Sequence, residues 1–203
     1  PNGNTDNDYS NDTLSSTTQY LLGSNLPFAE PLNSGTLPTN LTVFDQNTDG
    51  FQWTYNATVN GFGQAAGGSV VMDNFNNDTR GTLDWLFVET LDFSSANNAQ
   101  LFFDVAYTRY SASFTDTLII AINDDCGTNY TPIYFVGGSD LATAPDQTSE
   151  FIPSATQWRT DTLDLSAYDG SSQVRIAFIN QGGYGQPLYL DNINVQSAVI
   201  CNL

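Results

Sequence analysis

Short apolar runs separated by glycine-rich breaks constrain this sequence more than any other feature does. The clearest runs are rich in β-branched and aromatic residues, and several alternate polar with apolar side chains, which is the period of a half-buried strand. They cover residues 68–72, 101–107, 117–122 and 174–179. No stretch of 12 residues carries the apolar face of a helix, and the best helical candidate, 139–144, is a turn or two long. The pattern predicts an all-β chain folded as a two-sheet antiparallel β-sandwich with jelly-roll topology.

The two ends of the chain differ from this pattern. Residues 1–25 are rich in Asn, Asp, Ser and Thr and carry little that could be buried. We expect them to be a linker or the last strand of a preceding domain. A single jelly-roll domain is expected over 26–197, because no Pro/Ser/Gly tract divides it, and 198–203 is expected to link to a following domain.

The charge balance excludes several classes of function. The 203 residues include 22 Asp and Glu but four Arg, no Lys and no His, which gives a net charge of −18. Such a chain is not expected to bind nucleic acid or anionic membrane surfaces, because phosphate binding needs clustered Lys or Arg. Membrane insertion is not expected either, since no run approaches the roughly 20 apolar residues of a membrane span.

The missing histidines also bear on catalysis. Without His the chain cannot form a Ser-His-Asp or Cys-His nucleophile. Its two cysteines, Cys126 and Cys201, cannot close a four-thiolate zinc site, and they form either one bridge or two free thiols. A glycosidase needs two opposed carboxylates, and nothing in the order of the acidic residues marks such a pair. We therefore expect a chain that is not an enzyme, in which the acids serve hard-cation binding instead.

Residues 45–50, with the sequence DQNTDG, form the sharpest local motif. They fit the first half of a calcium loop, in which Asp45, Asn47 and Asp49 turn their oxygens inward and the final Gly permits a tight bend. The twelfth position is Asn56 rather than a bidentate Glu, and the flanking residues resemble strands, so this is not an EF-hand. The segment is either a strand-to-strand loop that lends carboxylates to a Ca²⁺ completed from elsewhere, or an ordinary Asx-rich turn.

Three further carboxylates lie where a jelly roll could gather them, at Glu30, Asp84 and Asp191. Asp191 is flanked by apolar strand residues, and burying it without a cation or hydrogen-bond donors would be costly. An exposed edge-strand Asp is the alternative. The candidate ligands of a structural Ca²⁺ are Glu30, Asp45, Asn47, Asp49, Asp84 and Asp191.

The aromatic residues divide between core and candidate ligand site. Most large aromatic side chains of a β-sandwich pack in its core, and we assign Trp53, Trp85 and Trp158 there. Tyr110 and Tyr184 lie in loop-like contexts and are candidate ligand-binding residues.

The order of short motifs along the chain resembles a known family. The motifs that carry the resemblance include PFAE at 27–30, DQNTDGFQW at 45–53, LDWL at 83–86, LFFDVAY at 101–107 and LYLDNI at 188–193. In this order they resemble the cleaved-adhesin, or choice-of-anchor J, domains of Bacteroidetes secreted and surface proteins. Those are related to the adhesin domains behind gingipain proteases and more loosely to MAM-type jelly rolls. The chain departs from the family at Asn33, where a glutamate is often found.

The resemblance implies a non-catalytic jelly roll stabilised by Ca²⁺, with Glu30, Asp45, Asp49 and Asp191 at the family's calcium positions. It also implies a module of a large secreted or cell-surface protein, often exported by the type IX route, that binds extracellular protein or glycan beside other domains of the same polypeptide. A structural spacer, or an accessory domain of a secreted hydrolase such as a metallopeptidase, is the alternative.

Three Asp-Thr-Leu triplets, at Thr13, Thr117 and Thr162, match the core of an O-glycosylation signal of that phylum or occur by chance.

Overall fold

Almost all of the regular structure is β-strand in the computed structural model, which describes residues 23–64, 67–125 and 127–198. The first strands are β1 (Ser24–Asn25), β2 (Phe28–Glu30), β3 (Leu41–Asp45), β4 (Thr54–Asn56), β5 (Ser69–Met72), β6 (Leu83–Val88) and β7 (Leu91–Asp92). They are followed by β8 (Gln100–Ala106), β9 (Thr117–Asn123), β10 (Thr131–Gly137), β11 (Arg159–Asp164), β12 (Arg175–Gln181) and β13 (Leu188–Gln196). A short helix, α1 (Gly138–Leu141), overlaps the predicted helical turn, and a 3-10 turn spans Ser166–Tyr168.

The long strands form two antiparallel sheets that face each other. Sheet A has the order β10-β9-β12-β6-β3, and sheet B has the order β11-β8-β13-β5-β4, with β2 added on β13. Every pairing within the two sheets is antiparallel, and the short strands β1 and β7 form a separate parallel pair. The predicted all-β, two-sheet antiparallel sandwich with jelly-roll topology is confirmed.

The core lies between the sheets and is built from the inward-facing side chains of both. Phe103 of β8 and Phe178 of β12 meet edge-to-face across the two sheets, with ring centroids 5.3 Å apart. Trp53 is buried in this core, as predicted, and Trp158 is also buried, in a second apolar cluster with Phe151 and Tyr189 on the other face of sheet B. Such burial of large aromatic side chains supplies much of the free energy that holds two sheets together.

The prediction that Trp85 belongs to the core is wrong. Along β6 the buried side chains are Asp84, Leu86 and Val88, so Trp85 and its alternate neighbours point to the outer face of sheet A. There the Trp85 indole Nε1 donates to Gln46 Oε1 at 2.7 Å. The alternation of a strand allows only one of its two faces to enter the core.

Several sequence predictions lie wholly or partly outside the described residues. They are the glycosylation candidate Thr13, the cysteines Cys126 and Cys201, residues 1–22 of the predicted linker and residues 199–203. Of the other two glycosylation candidates, Thr162 is exposed on the edge strand β11, and Thr117 is half-buried at the start of β9. No helix in the described part of the chain is long and apolar enough to cross a membrane.

Candidate functional site

Loops at one end of the sandwich form a cleft lined by aromatic side chains. Its volume is about 400 Å³, and we call it the aromatic cleft. It is lined by Phe75, Tyr110, Phe114, Thr148, Tyr184 and Gly185. These residues come from the loops that follow β5, β8, α1 and β12, so the two tyrosines predicted from sequence are brought together by segments that are distant in the chain.

The rings of the aromatic cleft contact one another in a chain. Phe114 lies edge-on to Tyr110 at 5.9 Å and to Tyr184 at 6.2 Å, measured between ring centroids. Phe75 contacts Tyr110 at 6.4 Å with tilted rings. Phe114 and Tyr184 remain 36% and 39% exposed, so their surfaces are available to a ligand. Sequence reasoning missed both phenylalanines, because neither lies in a recognisable motif.

A buried carboxylate holds the loop that carries Tyr184. Asp116 Oδ1 accepts the backbone N–H groups of Gly183 at 2.7 Å and Gly185 at 3.3 Å. Asp116 Oδ2 accepts the Gln186 N–H at 3.0 Å and the Tyr107 hydroxyl at 3.1 Å. Burial raises the pKa of Asp116, although these donors oppose the rise. Tyr184 itself has φ +58, a left-handed conformation that this network stabilises.

Charged side chains border the aromatic cleft. The Arg80 guanidinium lies 5.7 Å from the centre of the Tyr184 ring and forms a two-pronged pair with Asp78. Arg109, one residue before Tyr110, makes a similar pair with Asp146 at 2.9 Å for both bonds. Forked pairs of this kind fix the donors and acceptors at the rim of a cleft.

The predicted calcium ligands fall into two separate clusters. The first, which we call the Asp45–Asp84 cluster, comprises Asp45, Asp49 and Asp84. Asp45 and Asp84 are direct cross-strand partners on β3 and β6, and Asp49 lies near enough to raise the pKa of Asp84. Burial is the larger cause, and together the effects raise that pKa to about 6.

Two oxygens of the Asp45–Asp84 cluster lack hydrogen-bond donors. Asp45 Oδ1 and Asp84 Oδ1 are both buried without a partner. The other oxygens have donors: Gly50 N–H donates to Asp45 Oδ2 and Phe51 N–H donates to Asp49 Oδ1, each at 2.8 Å, and the Thr82 hydroxyl donates to Asp84 Oδ2 at 3.3 Å. Asn47 donates its amide to Asp49 Oδ2 at 2.5 Å. Two buried carboxylate oxygens without donors, on residues paired across adjacent strands, are costly without a cation or a proton to compensate them.

The second cluster, the Glu30–Asp191 cluster, contains Glu30, Asp104 and Asp191. Asp104 and Asp191 are cross-strand partners on β8 and β13, and β13 has an irregular register immediately after Asp191. Burial raises the pKa of Asp191 to about 7; the Asn192 N–H opposes the rise, and the charges of Asp104 and Glu30 add to it.

Donors occupy the oxygens of this second cluster. Glu30 accepts the Leu32 N–H and the Asn40 amide, at 2.8 and 2.9 Å. The Gln64 side-chain nitrogen lies among three oxygens, at 2.8 Å from Pro31 O and 3.1 Å from both Asp191 Oδ2 and Asn192 Oδ1. The amide group therefore fills the place where these oxygens converge.

The fit to a hard cation therefore differs between the clusters. Within the described ranges, no three carboxylates or thiols already form a metal-binding group. The Asp45–Asp84 cluster offers free buried oxygens, whereas a cation at the Glu30–Asp191 cluster would have to displace the Gln64 amide. Asp104 and Gln64 were missed by sequence reasoning, because their only signal is contact with residues far away in the chain.

Comparisons with known proteins identify the fold. The K1 cleaved adhesin domain of Lys-gingipain from Porphyromonas gingivalis W83 matches with a TM-score of 0.63 and 16% sequence identity, over 85% of this chain and 99% of that domain. A second similar structure is a carbohydrate-binding module, CBM27-1 of Caldicellulosiruptor saccharolyticus, solved in complex with mannohexaose. It matches with a TM-score of 0.55 and 13% sequence identity, over 84% of this chain and 96% of that module.

A third similar structure is the CBM22-1 xylan-binding domain of Paenibacillus barcinonensis Xyn10C, with a TM-score of 0.51 and 12% identity, over 88% of this chain and 99% of that domain. No protein-family model and no curated protein sequence matches the chain. The predicted resemblance to cleaved adhesin domains is confirmed at the level of the fold.

Proposed function

We propose that this chain is a non-catalytic binding module of a larger secreted or cell-surface protein, and that its aromatic cleft binds a glycan. The observation that carries the proposal is the convergence of Phe75, Tyr110, Phe114 and Tyr184 in one open cleft with a hydrogen-bonding rim. The structurally similar adhesin and carbohydrate-binding modules support this assignment.

The chemistry of the cleft suits a neutral sugar. The apolar C–H face of a pyranose ring packs on an exposed aromatic ring, and its hydroxyl groups need partners such as Asp78, Arg80 and Thr148 at the rim. A volume of about 400 Å³ accommodates a chain end or a short oligosaccharide rather than a long polymer. The net charge of −18 disfavours an anionic sugar.

The test is glycan binding by Tyr184→Asn. Asn tolerates the left-handed conformation at φ +58, so the variant keeps its fold while the ring is lost. On a glycan array followed by calorimetry, we expect the wild-type chain to bind a neutral oligosaccharide and Tyr184→Asn to bind it at least about tenfold more weakly. Phe62→Ala is the matched control, because Phe62 is also exposed but lies outside the cleft. A blank array, or equal affinity of Tyr184→Asn and wild type, contradicts the proposal.

We further propose that Ca²⁺ stabilises the module through the Asp45–Asp84 cluster. Support comes from the two buried oxygens without donors and from the curled loop, in which Thr48 and Gly50 adopt left-handed conformations. A bound Ca²⁺ supplies positive charge to oxygens that are otherwise uncompensated. Glu30 and Asp191 remain candidate ligands of a second ion.

Asp84→Asn separates this proposal from a purely structural role. In EDTA at pH 8 the variant is expected to be more stable than wild type, because it removes a buried charge. With Ca²⁺ present, wild type is expected to be the more stable of the two proteins, because the variant has lost a ligand of the ion. Thermal unfolding and native mass spectrometry measure both effects, and exposed Glu89→Gln serves as the control. Identical melting curves with and without Ca²⁺, and no bound metal in the mass spectrum, would exclude the calcium site.

A further inference from the structure

We propose that the outer face of sheet A is a second binding surface, and that it takes the interior of a neutral polysaccharide chain. This goes beyond the function proposed for the aromatic cleft, because the face lies on a sheet rather than among the end loops and is built from different residues. We call it the aromatic face and define it by Phe44, Trp85, Phe87, Tyr130 and Phe135.

One row of the aromatic face crosses all five strands of sheet A. The strand register pairs Phe44 with Trp85, Trp85 with Ile179, Ile179 with Ile119, and Ile119 with Phe135. Direct cross-strand partners share a face, so these five side chains form one apolar band. Phe44 and Phe135, at its two ends, are 50% and 66% exposed, whereas Ile179 and Ile119 in the middle are buried, with Trp85, Phe87 and Tyr130 packed against their cluster.

A second row lies beside the first and adds further rings. Phe87 pairs with Ala177, and Ala177 pairs with Ala121. Tyr130 packs against this cluster, with its ring 5.5 Å from Phe87 and 5.6 Å from Trp85 between centroids. Trp85 and Phe87 are themselves stacked at 5.5 Å with an interplanar angle of 26°. Trp85, Phe87 and Tyr130 therefore form one cluster of rings on the aliphatic side chains of β9 and β12, and Phe44 and Phe135 lie exposed on the two edge strands.

Charge is almost absent from this face. The outward positions of the five strands carry no Asp or Glu in the described chain, although the whole chain has 22. The one outward cation is Arg175, which contacts the hydroxyls of Thr90 and Tyr130, whereas each of the other three arginines is paired with an Asp. Glu89, just beyond β6, lines the edge of this face beside Phe87 and Tyr130. Strand positions without carboxylates on so acidic a protein suit a neutral ligand with an apolar side.

The size of the face favours a polymer strand over a second protein copy. Five strands spaced about 4.8 Å apart make it about 19 Å wide, and four outward rows make it about 20 Å long. The projected area is about 400 Å², so a second copy that buried the roughly 800 Å² of accessible surface per partner of a stable interface would also have to contact the loops around this face. Two copies of a −18 chain would also repel each other. Hydroxyl and amide groups at the border, from the exposed residues Thr42 and Gln46, can bond the hydroxyls of a sugar chain.

Affinity gel electrophoresis tests the proposal, with soluble mixed-linkage β-glucan, glucomannan or arabinoxylan in the gel and polygalacturonate as the anionic comparison. We expect at least one neutral polymer to retard the protein and polygalacturonate to leave it unchanged. Phe44→Ser/Phe135→Ser is expected to weaken retardation about tenfold, since two ring contacts are lost. Both residues are exposed, so the fold is retained, and Ile152→Ser is the control, because Ile152 is 65% exposed and lies outside the aromatic face.

Trp85 gives an independent readout, because Trp53 and Trp158 are buried. Bound polymer is expected to protect Trp85 from acrylamide quenching, and Tyr184→Asn is expected to retain this protection even if the aromatic cleft binds nothing. The proposal is overturned if no neutral polymer retards the protein or if Tyr184→Asn alone abolishes retardation. It is also overturned if sedimentation shows a dimer that Phe44→Ser/Phe135→Ser dissociates, since a second copy would then cover the face.

Discussion

Gly61 lies against the Asp191 carboxylate so closely that no side chain can be added there. A Cβ at Gly61 would overlap the Asp191 carboxylate, although the backbone of Gly61 is not in the left-handed region. The sequence marks Asn60-Gly61 only as a break between strands. Its contact with a residue 130 positions later could not be predicted, because the contact depends on how β13 is placed in sheet B. At position 61 the Asp191 carboxylate therefore leaves no room for any side chain.

Gly61→Ala is therefore expected to lower the free energy of unfolding by roughly 2–3 kcal/mol, since the Asp191 side chain must move and give up its hydrogen bonds. Gly63→Ala is the matched comparison. Gly63 has φ +72 and open space around it, so the substitution costs backbone strain of only about 1 kcal/mol. Urea denaturation measures the free energy of unfolding of both variants. Equal losses in the two variants would show that the contact between Gly61 and Asp191 is unimportant.

The strand β6 shows what can and cannot be predicted at the scale of an element. Its residues, LDWLFV, are apolar at five of six positions, so a strand is readily predicted. Hydrophobicity favours Leu83, Trp85 and Phe87 as the buried set, and the structure buries the alternate set instead. The reason is tertiary, since the outward residues form their own cluster with Tyr130 and the aliphatic side chains of β9 and β12. A single sequence carries no signal for a partner that lies 45 residues away.

The conformation of the loop that follows β12 depends on one hydrogen-bond acceptor, the Asp116 carboxylate, so removing this acceptor is expected to destabilise the loop. Asp116→Asn loses one acceptor oxygen and brings an amide toward backbone N–H groups that need an acceptor. We expect the free energy of unfolding to fall by roughly 2–3 kcal/mol and glycan binding at the aromatic cleft to fall with it. Hydrogen exchange is expected to quicken at Gly183 and Gly185, whose N–H groups donate to Asp116.

The control for Asp116→Asn is Asp164→Asn, because exposed Asp164 accepts a single local N–H from Ser166. It is expected to change stability by less than about 0.5 kcal/mol. Unchanged exchange at Gly183 and Gly185 in Asp116→Asn would mean that the loop is held by other contacts.

At the scale of the whole molecule, the charge of −18 has two parts with different consequences. Most of the acids are solvated, and this part was evident from composition. The smaller part consists of buried carboxylates brought together by strand register, above all Asp84 between the two sheets and Asp191 on the other face of sheet B. The sequence suggested both residues as ligands, but it could not show that they belong to different clusters. That division depends on which strands of two different sheets lie next to each other.

The buried carboxylates predict how stability depends on pH in the metal-free protein. The pKa of Asp84 is raised to about 6 and that of Asp191 to about 7, both above the ordinary value of 3.8. The folded state therefore binds more protons than the unfolded state between about pH 4 and 7, and stability falls as pH rises through this range. Repulsion among the exposed acids acts in the same direction.

In EDTA we expect the free energy of unfolding to fall by on the order of a few kcal/mol between pH 5 and pH 8. Asp84→Asn/Asp191→Asn is expected to reduce this slope and to leave the part that comes from Asp116, whose pKa burial also raises, whereas added salt is expected to reduce only the part that comes from the surface acids. Saturating Ca²⁺ is expected to reduce the slope as well, because the cation replaces the proton where carboxylates face one another. Urea denaturation at five or six pH values distinguishes these effects. If the metal-free protein instead becomes more stable as pH rises from 5 to 8, the buried carboxylates are compensated by their hydrogen bonds alone. That result would contradict the proposal that a cation compensates them.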